Sequence, residues 1–288
     1  MKKCILGLFI ALVSVSFSSC EDADDIAANE PELIIKFKFD ENQVRLNNTG
    51  QPAAVLSENA AQSPQFNTIS SHYIELAPNA NTALGQGLVL YHAPETTLGG
   101  ANAIDFSQAK ISAEGETFIK IPLSHIVNGS YEWVRVSLSY QNYDIVIRQD
   151  NVDYTGTLAS FVGFNTYIGT HNIGNSTFPV NANRAQGYWA LNVQGMPFSG
   201  QAPAGATTVP NPLASTSPIP VGSCVVTGKF ANNLVITGEE TQDIEMTLSL
   251  SINNSFEWHE VNEDGKYEPA AGENVVDMGL RGLIPSYQ

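Results

Sequence analysis

Oxygen-bearing side chains stand at alternate positions near the carboxyl end of the chain. Glu260, Asn262, Asp264 and Glu268 surround Gly265 in the segment Glu-Val-Asn-Glu-Asp-Gly-Lys-Tyr-Glu. Carboxylate, amide and carbonyl oxygens are the ligands of Ca²⁺, and a glycine lets the chain turn sharply around the ion. The spacing predicts a structural calcium site that ties the last strands to their sheet.

This segment resembles an EF-hand calcium loop, although a predicted strand precedes it where an EF-hand has a helix. In the EF-hand pattern Glu260 takes the first ligand position, Lys266 supplies its carbonyl oxygen and Glu268 takes the ninth position. Ala271 occupies the twelfth position, where an EF-hand has a bidentate glutamate, so the resemblance implies that Glu273 or Asp277 completes the ligands. The open alternative is an acidic β-turn whose side chains supply only turn chemistry.

Two histidines fall on the apolar faces of predicted strands. His72 alternates in phase with Ile74, and His92 alternates in phase with Leu88. If the two strands pair, the imidazoles meet and offer nitrogen ligands to a soft transition metal such as copper, with His171 as a candidate third ligand. Core histidines that hydrogen-bond to the backbone are the open alternative.

Aromatic and amide side chains are concentrated in the middle of the chain. Tyr188 and Trp189 are adjacent there, and Asn183 and Gln186 come just before them. Aromatic rings contact the CH faces of sugars and amides bind sugar hydroxyls, so Tyr188 and Trp189 are predicted contacts for a glycan ligand. The alternative is that the tyrosines fill strand faces, as in other β-sheets.

The sequence lacks the motifs of common catalytic classes. It has no Gly-x-Ser-x-Gly elbow and no phosphate-binding loop, and the His259-Glu260 pair lacks the second histidine of a zinc-protease helix. Cys224 lies between a Val-Gly-Ser turn and two valines, a setting typical of a buried thiol. We therefore predict a binding protein and not an enzyme. A glycosidase with two catalytic carboxylates is the open alternative, because the distance between acidic residues in space cannot be read from the sequence.

The amino terminus has the pattern of a secretion signal. Lys2 and Lys3 precede an apolar stretch, residues 5–15, that is too short to span a bilayer. The following Ser-Phe-Ser-Ser before Cys20 resembles the lipobox of bacterial lipoproteins. The resemblance implies that residues 1–19 are removed as a signal peptide and that Cys20 carries a lipid anchor that contains palmitate. An ordinary secretory signal is the alternative.

An acidic run follows this cysteine. Residues 20–32 contain Glu21, Asp22, Asp24 and Asp25, and this charge density predicts a solvated tether. The run resembles the export signal of Bacteroidetes surface lipoproteins, which implies an outer-membrane protein that is lipid-anchored and faces the cell exterior. A generic acidic linker is the alternative.

The chain is strongly acidic, with 13 Lys and Arg against 29 Asp and Glu and a formal net charge of −16. This charge argues against nucleic acid as a partner and leaves the lipid anchor as the predicted contact with the membrane. With Cys4 removed and Cys20 acylated, Cys224 has no cysteine to pair with. The fold must therefore be stabilised by a packed core.

Apolar and polar residues alternate with a period of two in many segments, such as 35–39, 134–140 and 246–252. This period indicates strands with one buried face, and turn signals lie between them. Residues 33–288 are predicted to form an all-β, antiparallel β-sandwich, Ig-like or jelly-roll-like, as one domain or two subdomains. A Pro-, Ser- and Thr-rich segment, 195–222, is predicted to be a long loop insertion.

Together these patterns predict a cell-surface lipoprotein that acts as a non-catalytic binding module for a glycan or another extracellular ligand, with a structural calcium ion. Two other functions stay open. One is the binding of copper or another metal in the periplasm or at the surface. The other is an adhesin or pilus-like subunit that self-associates through a donated strand.

Overall fold

The structure, a computed structural model, describes residues 30–47, 50–202 and 217–288. In it, the alternation of apolar and polar residues corresponds to an alternation of buried and exposed side chains. In the first strand, Leu33, Ile35 and Phe37 are fully buried, while Lys36 and Lys38 point away from the core. Burial of one face against another layer is what stabilises such strands in water. The predicted signal peptide, the predicted lipidation site Cys20 and the acidic run that follows it lie outside the described residues.

Nearly all of the regular structure is β-strand. The strands are β1 (Glu32–Asp40), β2 (Asn59–Gln62), β3 (Gln65–Ala77), β4 (Leu88–His92), β5 (Glu95–Thr96), β6 (Ala103–Asp105), β7 (Thr117–Pro122), β8 (Gly129–Gln149), β9 (Val152–Phe161), β10 (Asn165–Ile173), β11 (Ser176–Ala185), β12 (Tyr188–Val193), β13 (Met196–Gln201), β14 (Cys224–Ile236), β15 (Ile244–Ser251), β16 (Phe256–His259), β17 (Val275–Asp277) and β18 (Leu283–Tyr287). Short 3-10 turns occur at Phe106–Gln108, Leu123–His125 and Pro269–Ala271. Within the described ranges, no helix is long and apolar enough to cross a membrane.

The strands form four sheets. A seven-stranded sheet has the order β13-β12-β9-β8-β3-β4, with β14 also paired to β8. Two four-stranded sheets have the orders β18-β15-β1-β7 and β11-β10-β6-β5, and a three-stranded sheet has the order β17-β16-β2. The pairs β1–β15 and β6–β10 are parallel and the other pairs are antiparallel. The predicted all-β sandwich is confirmed, with two parallel pairs that the alternation does not reveal.

Three of the four buried clusters in the described residues show how the layers pack. The largest joins one face of the seven-stranded sheet to the β18-β15-β1-β7 sheet; its members include Leu33, Ile35, Phe37, Val134, Val136, Leu138, Met246, Leu248 and Leu250. The second joins the seven-stranded sheet to the β11-β10-β6-β5 sheet; its members are Tyr140, Ala159, Phe161, Ile168, Ile173, Phe178, Tyr188 and Ala190. The third joins it to β16; its members include Tyr143, Ile145, Ile147, Leu158, Phe256 and Trp258. The described residues between Pro31 and Gln288 thus form one compact unit.

The prediction of a loop over all of 195–222 is wrong for its first part. Met196–Gln201 is a strand, β13, and it pairs with β12 along its whole length. Gln194 and Gly195 both have positive φ, 51° and 83°, as a two-residue hairpin turn requires, and this turn closes the β12–β13 hairpin. Residues 217–223 form no strand, and residues 203–216 are not described.

Candidate metal centre and other predicted sites

His72 lies at a β-bulge in β3. In the ladder between β3 and β8, the pairing passes from Ser71 to Tyr73 and leaves His72 without a partner. On the other side of β3, Tyr73 and not His72 is the partner of His92 in β4. A bulge re-aims the side chain of its extra residue, and here it brings the His72 ring to the His92 ring.

Three potential metal ligands meet at this bulge. The Nε2 atoms of His72 and His92 are 3.1 Å apart, and Oε1 of Glu95 lies 2.9 Å from the first and 3.3 Å from the second. Ligands about 2.0–2.1 Å from a metal ion are separated by about 3.3 Å in tetrahedral geometry and by about 3.0 Å at adjacent octahedral positions. The three atoms therefore have the mutual spacing of donors on one side of a single ion.

Burial differs sharply among the three residues. His72 is fully buried, whereas the side chains of His92 and Glu95 are 46% and 24% exposed. Burial lowers the pKa of His72, and the hydrogen bond between His72 and Glu95 is the main cause that lowers the pKa of Glu95 to about 2. At neutral pH the site thus offers a neutral buried imidazole and an ionised carboxylate, the protonation states in which these groups bind cations.

Aromatic rings hold the two imidazoles in place. The ring of Phe164 lies 5.4 Å from that of His72, and the ring of Tyr73 lies edge-on to that of His92 at 5.8 Å. Among the described residues, Nδ1 of His72 has no hydrogen-bond partner. The position of His72 is therefore set by the packing of its ring and by the hydrogen bond that the Ala93 N–H donates to the His72 carbonyl oxygen at 2.8 Å.

Glu95 is a ligand candidate that the alternation pattern did not reveal. It lies three residues after His92, and Pro94 between them marks the point where the chain passes from β4 to β5, in another sheet. His171, the predicted third ligand, does not join this group. It is buried in the cluster of Phe161 and Phe178, and neither of its ring nitrogens has a partner within the described residues.

The predicted calcium loop uses its carboxylates to bind its own backbone. Glu273 accepts hydrogen bonds from the N–H groups of Val261 and Glu268, at 3.2 and 2.6 Å. Asp264 accepts one from the N–H of Lys266 at 2.9 Å, and the amide of Asn262 donates to Glu268. In the part of the chain that the structure describes, only His72, His92 and Glu95 place three His, Cys, Asp or Glu ligand atoms within 4.8 Å of one another.

Glu260 and Glu273 bring two carboxyl groups together in this loop. Glu273 is only 3% exposed, and Glu260 accepts a hydrogen bond from the Trp258 indole at 3.3 Å. Burial, and then the neighbouring Glu260 carboxyl, raise the pKa of Glu273. A cation would relieve the repulsion between the two carboxylates. The calcium site stays a prediction, and the effect of calcium on this pair provides a way to test it.

Tyr188 and Trp189 do not share a surface. Adjacent residues of a strand point to opposite faces, and Tyr188 is buried against Phe161 with the Arg184 guanidinium 5.1 Å from its ring centre. Trp189 is half-buried beside Gly200, where an added Cβ would lie 2.5 Å from indole Cζ2. Trp189 lines a cleft of about 370 Å³, and its other lining residues include Leu191, Gln201, Tyr267 and Asn274.

Cys224 is buried, and burial raises the pKa of its thiol to about 12. A thiol with such a pKa is protonated at neutral pH and is a poor nucleophile and metal ligand. The position agrees with the prediction of a buried thiol.

Comparison with known proteins adds no assignment to these sites. No protein-family model, no curated protein and no solved structure matches this chain.

Proposed function

We propose that this protein binds a first-row transition-metal ion through His72, His92 and Glu95. One observation carries the proposal: two imidazole nitrogens and one carboxylate oxygen from three different strands lie within 3.3 Å of one another. Removing ionisable side chains from water costs free energy, and such side chains cluster at functional sites, as β-bulges also do.

The donor set favours particular metals. Imidazole nitrogen suits Cu²⁺, Zn²⁺, Ni²⁺ and Fe²⁺, whereas Ca²⁺ and Mg²⁺ require oxygen ligands alone. Affinity in a given site rises along the first-row series to a maximum at Cu²⁺, so copper is the ion we expect to bind most tightly. With three protein ligands, an ion keeps at least one coordination position for water or another molecule.

The setting of the site fits capture of metal outside the cell. The lipid anchor at Cys20 and the acidic run after it are proposed to hold the protein on the outer membrane, facing the exterior. The net charge of −16 attracts cations toward the surface. On this proposal the protein acts by binding, without a catalytic step.

The test is metal analysis after dialysis of the purified protein against Cu²⁺ and, separately, Zn²⁺. We expect one ion per chain in the parent and its loss in the double variant His72→Ala, His92→Ala. The matched control replaces two exposed histidines, His125→Ala and His259→Ala, and should keep the ion. Equal metal content in the parent and the His72/His92 variant would refute the proposal.

The Trp189 cleft supports a second candidate function, glycan binding. Indole and phenol rings of Trp189 and Tyr267 line this cleft together with the amides of Gln201 and Asn274. Its volume of about 370 Å³ lies within the range of small-molecule sites. Tyr188 has no part in this second proposal because its ring is in the core.

A further inference from the structure

The two oxygens of Glu95 have different partners. Oε1 faces the two imidazoles, while Oε2 accepts a hydrogen bond from the side-chain amide of Asn102 at 2.6 Å. Glu95 belongs to β5, a strand of only two residues, so its backbone alone gives the carboxylate little support. The Asn102 amide is therefore the contact that fixes the rotation of the carboxylate plane.

Asn102 is itself held by two amides from the neighbouring strands β10 and β11. The Asn165 side chain donates to the carbonyl oxygen of Asn102, and the Asn183 side chain donates to that of Ala101, both at 2.9 Å. Gly99 approaches Asn183 so closely that an added Cβ would lie 2.0 Å from Oδ1. The turn that carries Asn102 is thus tied to β10 and β11 at consecutive residues.

We propose that Asn102 is a positioning residue, which orients Glu95 so that Oε1 points at the metal held by His72 and His92. This inference rests on the metal-binding function proposed above and adds a residue that does not touch the ion. The amide can do this because it donates to a charged carboxylate without competing for the metal. Partners that orient a metal ligand change metal affinity by about 10- to 100-fold when they are removed.

The experiment measures Cu²⁺ affinity by competition with a chelator in the parent, Asn102→Ala and Asn102→Asp. Aspartate has the shape of asparagine but no N–H donor, and its charge repels Glu95. We expect affinity to fall at least about tenfold in Asn102→Ala and further in Asn102→Asp. The matched control is Asn172→Ala, an exposed asparagine of β10 whose side chain bonds to Thr177 and to no other described residue; the affinity of this variant should stay within about twofold of the parent.

A spectroscopic readout separates positioning from a general structural role. The d–d absorption of the Co²⁺ complex reports the ligands around the ion, so it should shift in Asn102→Ala and stay unchanged in Asn172→Ala. The melting temperature of the metal-free Asn102→Ala protein should equal that of the parent, because this hydrogen bond lies at the surface.

The outcomes distinguish the two claims. If Glu95→Ala and the His72/His92 variant lose the ion but both Asn102 variants keep the parent affinity and spectrum, the positioning role is refuted and the metal site stands. If the parent binds neither Cu²⁺ nor Co²⁺, the metal site is refuted and the role of Asn102 with it.

Discussion

The route of a metal ion into the site follows from the exposure of its three ligands. His72 is fully buried at the back, while the side chain of His92, at 46% exposure, and that of Glu95 border the solvent. An ion would therefore meet Glu95 and His92 first and exchange a further water ligand for the His72 imidazole. The buried imidazole is neutral, since burial lowers its pKa, so it presents no charge that repels the ion.

At Trp189 the glycan proposal gives a prediction about one side chain. Trp189→Ala should abolish retention on immobilised polysaccharide, because the indole supplies the flat apolar face that a sugar ring contacts. The matched control is Trp133→Ala on β8, whose ring lies near Lys229 and outside the cleft. Retention that is unchanged in Trp189→Ala, or absent in the parent, contradicts glycan binding.

Some of the site residues could be found from the sequence, for physical reasons that differ between them. Alternation placed His72 and His92 among apolar neighbours, and a metal site follows once β3 and β4 pair. Glu95 escaped this reasoning because its contact depends on the passage of the chain between sheets at Pro94. Asn102 escaped it because a single exposed asparagine in a turn carries no periodic signal.

The same contrast holds for the elements. Strands β1 and β15 follow from period-two alternation, which burial of one face imposes. Alternation also predicts the strand at 134–140 in β8, but there the polar residues Arg135, Ser137 and Ser139 are buried as well. Bulges do not follow from it, since the extra residue at His72 breaks the period that defines the strand. The parallel pairing of β1 with β15 depends on contacts between the two ends of the chain, which no local pattern encodes.

For the loop between β16 and β17, the calcium proposal predicts a response to chelator. Calcium should raise the melting temperature of the parent and a chelator should reverse this, because the ion would neutralise the paired Glu260 and Glu273 carboxyls. Asp264→Asn removes one charged ligand, so it should lower the melting temperature in calcium and abolish the response to chelator. Thermal unfolding followed by circular dichroism measures both quantities.

The control for the calcium prediction is Asp150→Asn, in the exposed turn between β8 and β9, where a positive φ of 52° suits asparagine. It should keep the parent response. Asp264→Asn also weakens the ion pair between Asp264 and Arg148, which are 3.6 Å apart and partly exposed. This loss should change the melting temperature only slightly, and by the same amount with and without chelator. The calcium site is refuted if chelator does not change the melting temperature of the parent. It is also refuted if the Asp264→Asn protein responds to chelator as the parent does.

At the scale of the whole molecule, the proposed metal site lies between two layers. His72 and His92 belong to the seven-stranded sheet, and Glu95 belongs to the β11-β10-β6-β5 sheet that packs on it. A bound ion would therefore add a cross-link between sheets that are already joined by side-chain packing, by hydrogen bonds such as that between His72 and Glu95, and by the chain itself at Pro94. Such a link opposes separation of the layers, which is a step that unfolding requires.

Metal binding should consequently stabilise the whole fold. At a free Cu²⁺ or Zn²⁺ concentration of 100 times Kd, linkage adds about 2.7 kcal/mol to the free energy of unfolding, or roughly 5–10 °C in melting temperature. Glu95→Gln should lose most of this shift, because the charged ligand is removed and Kd rises, and His125→Ala should keep it. Hydrogen exchange locates the effect: slower exchange at β5 and β6 on adding metal supports the cross-link, whereas protection confined to β3 and β4 contradicts it.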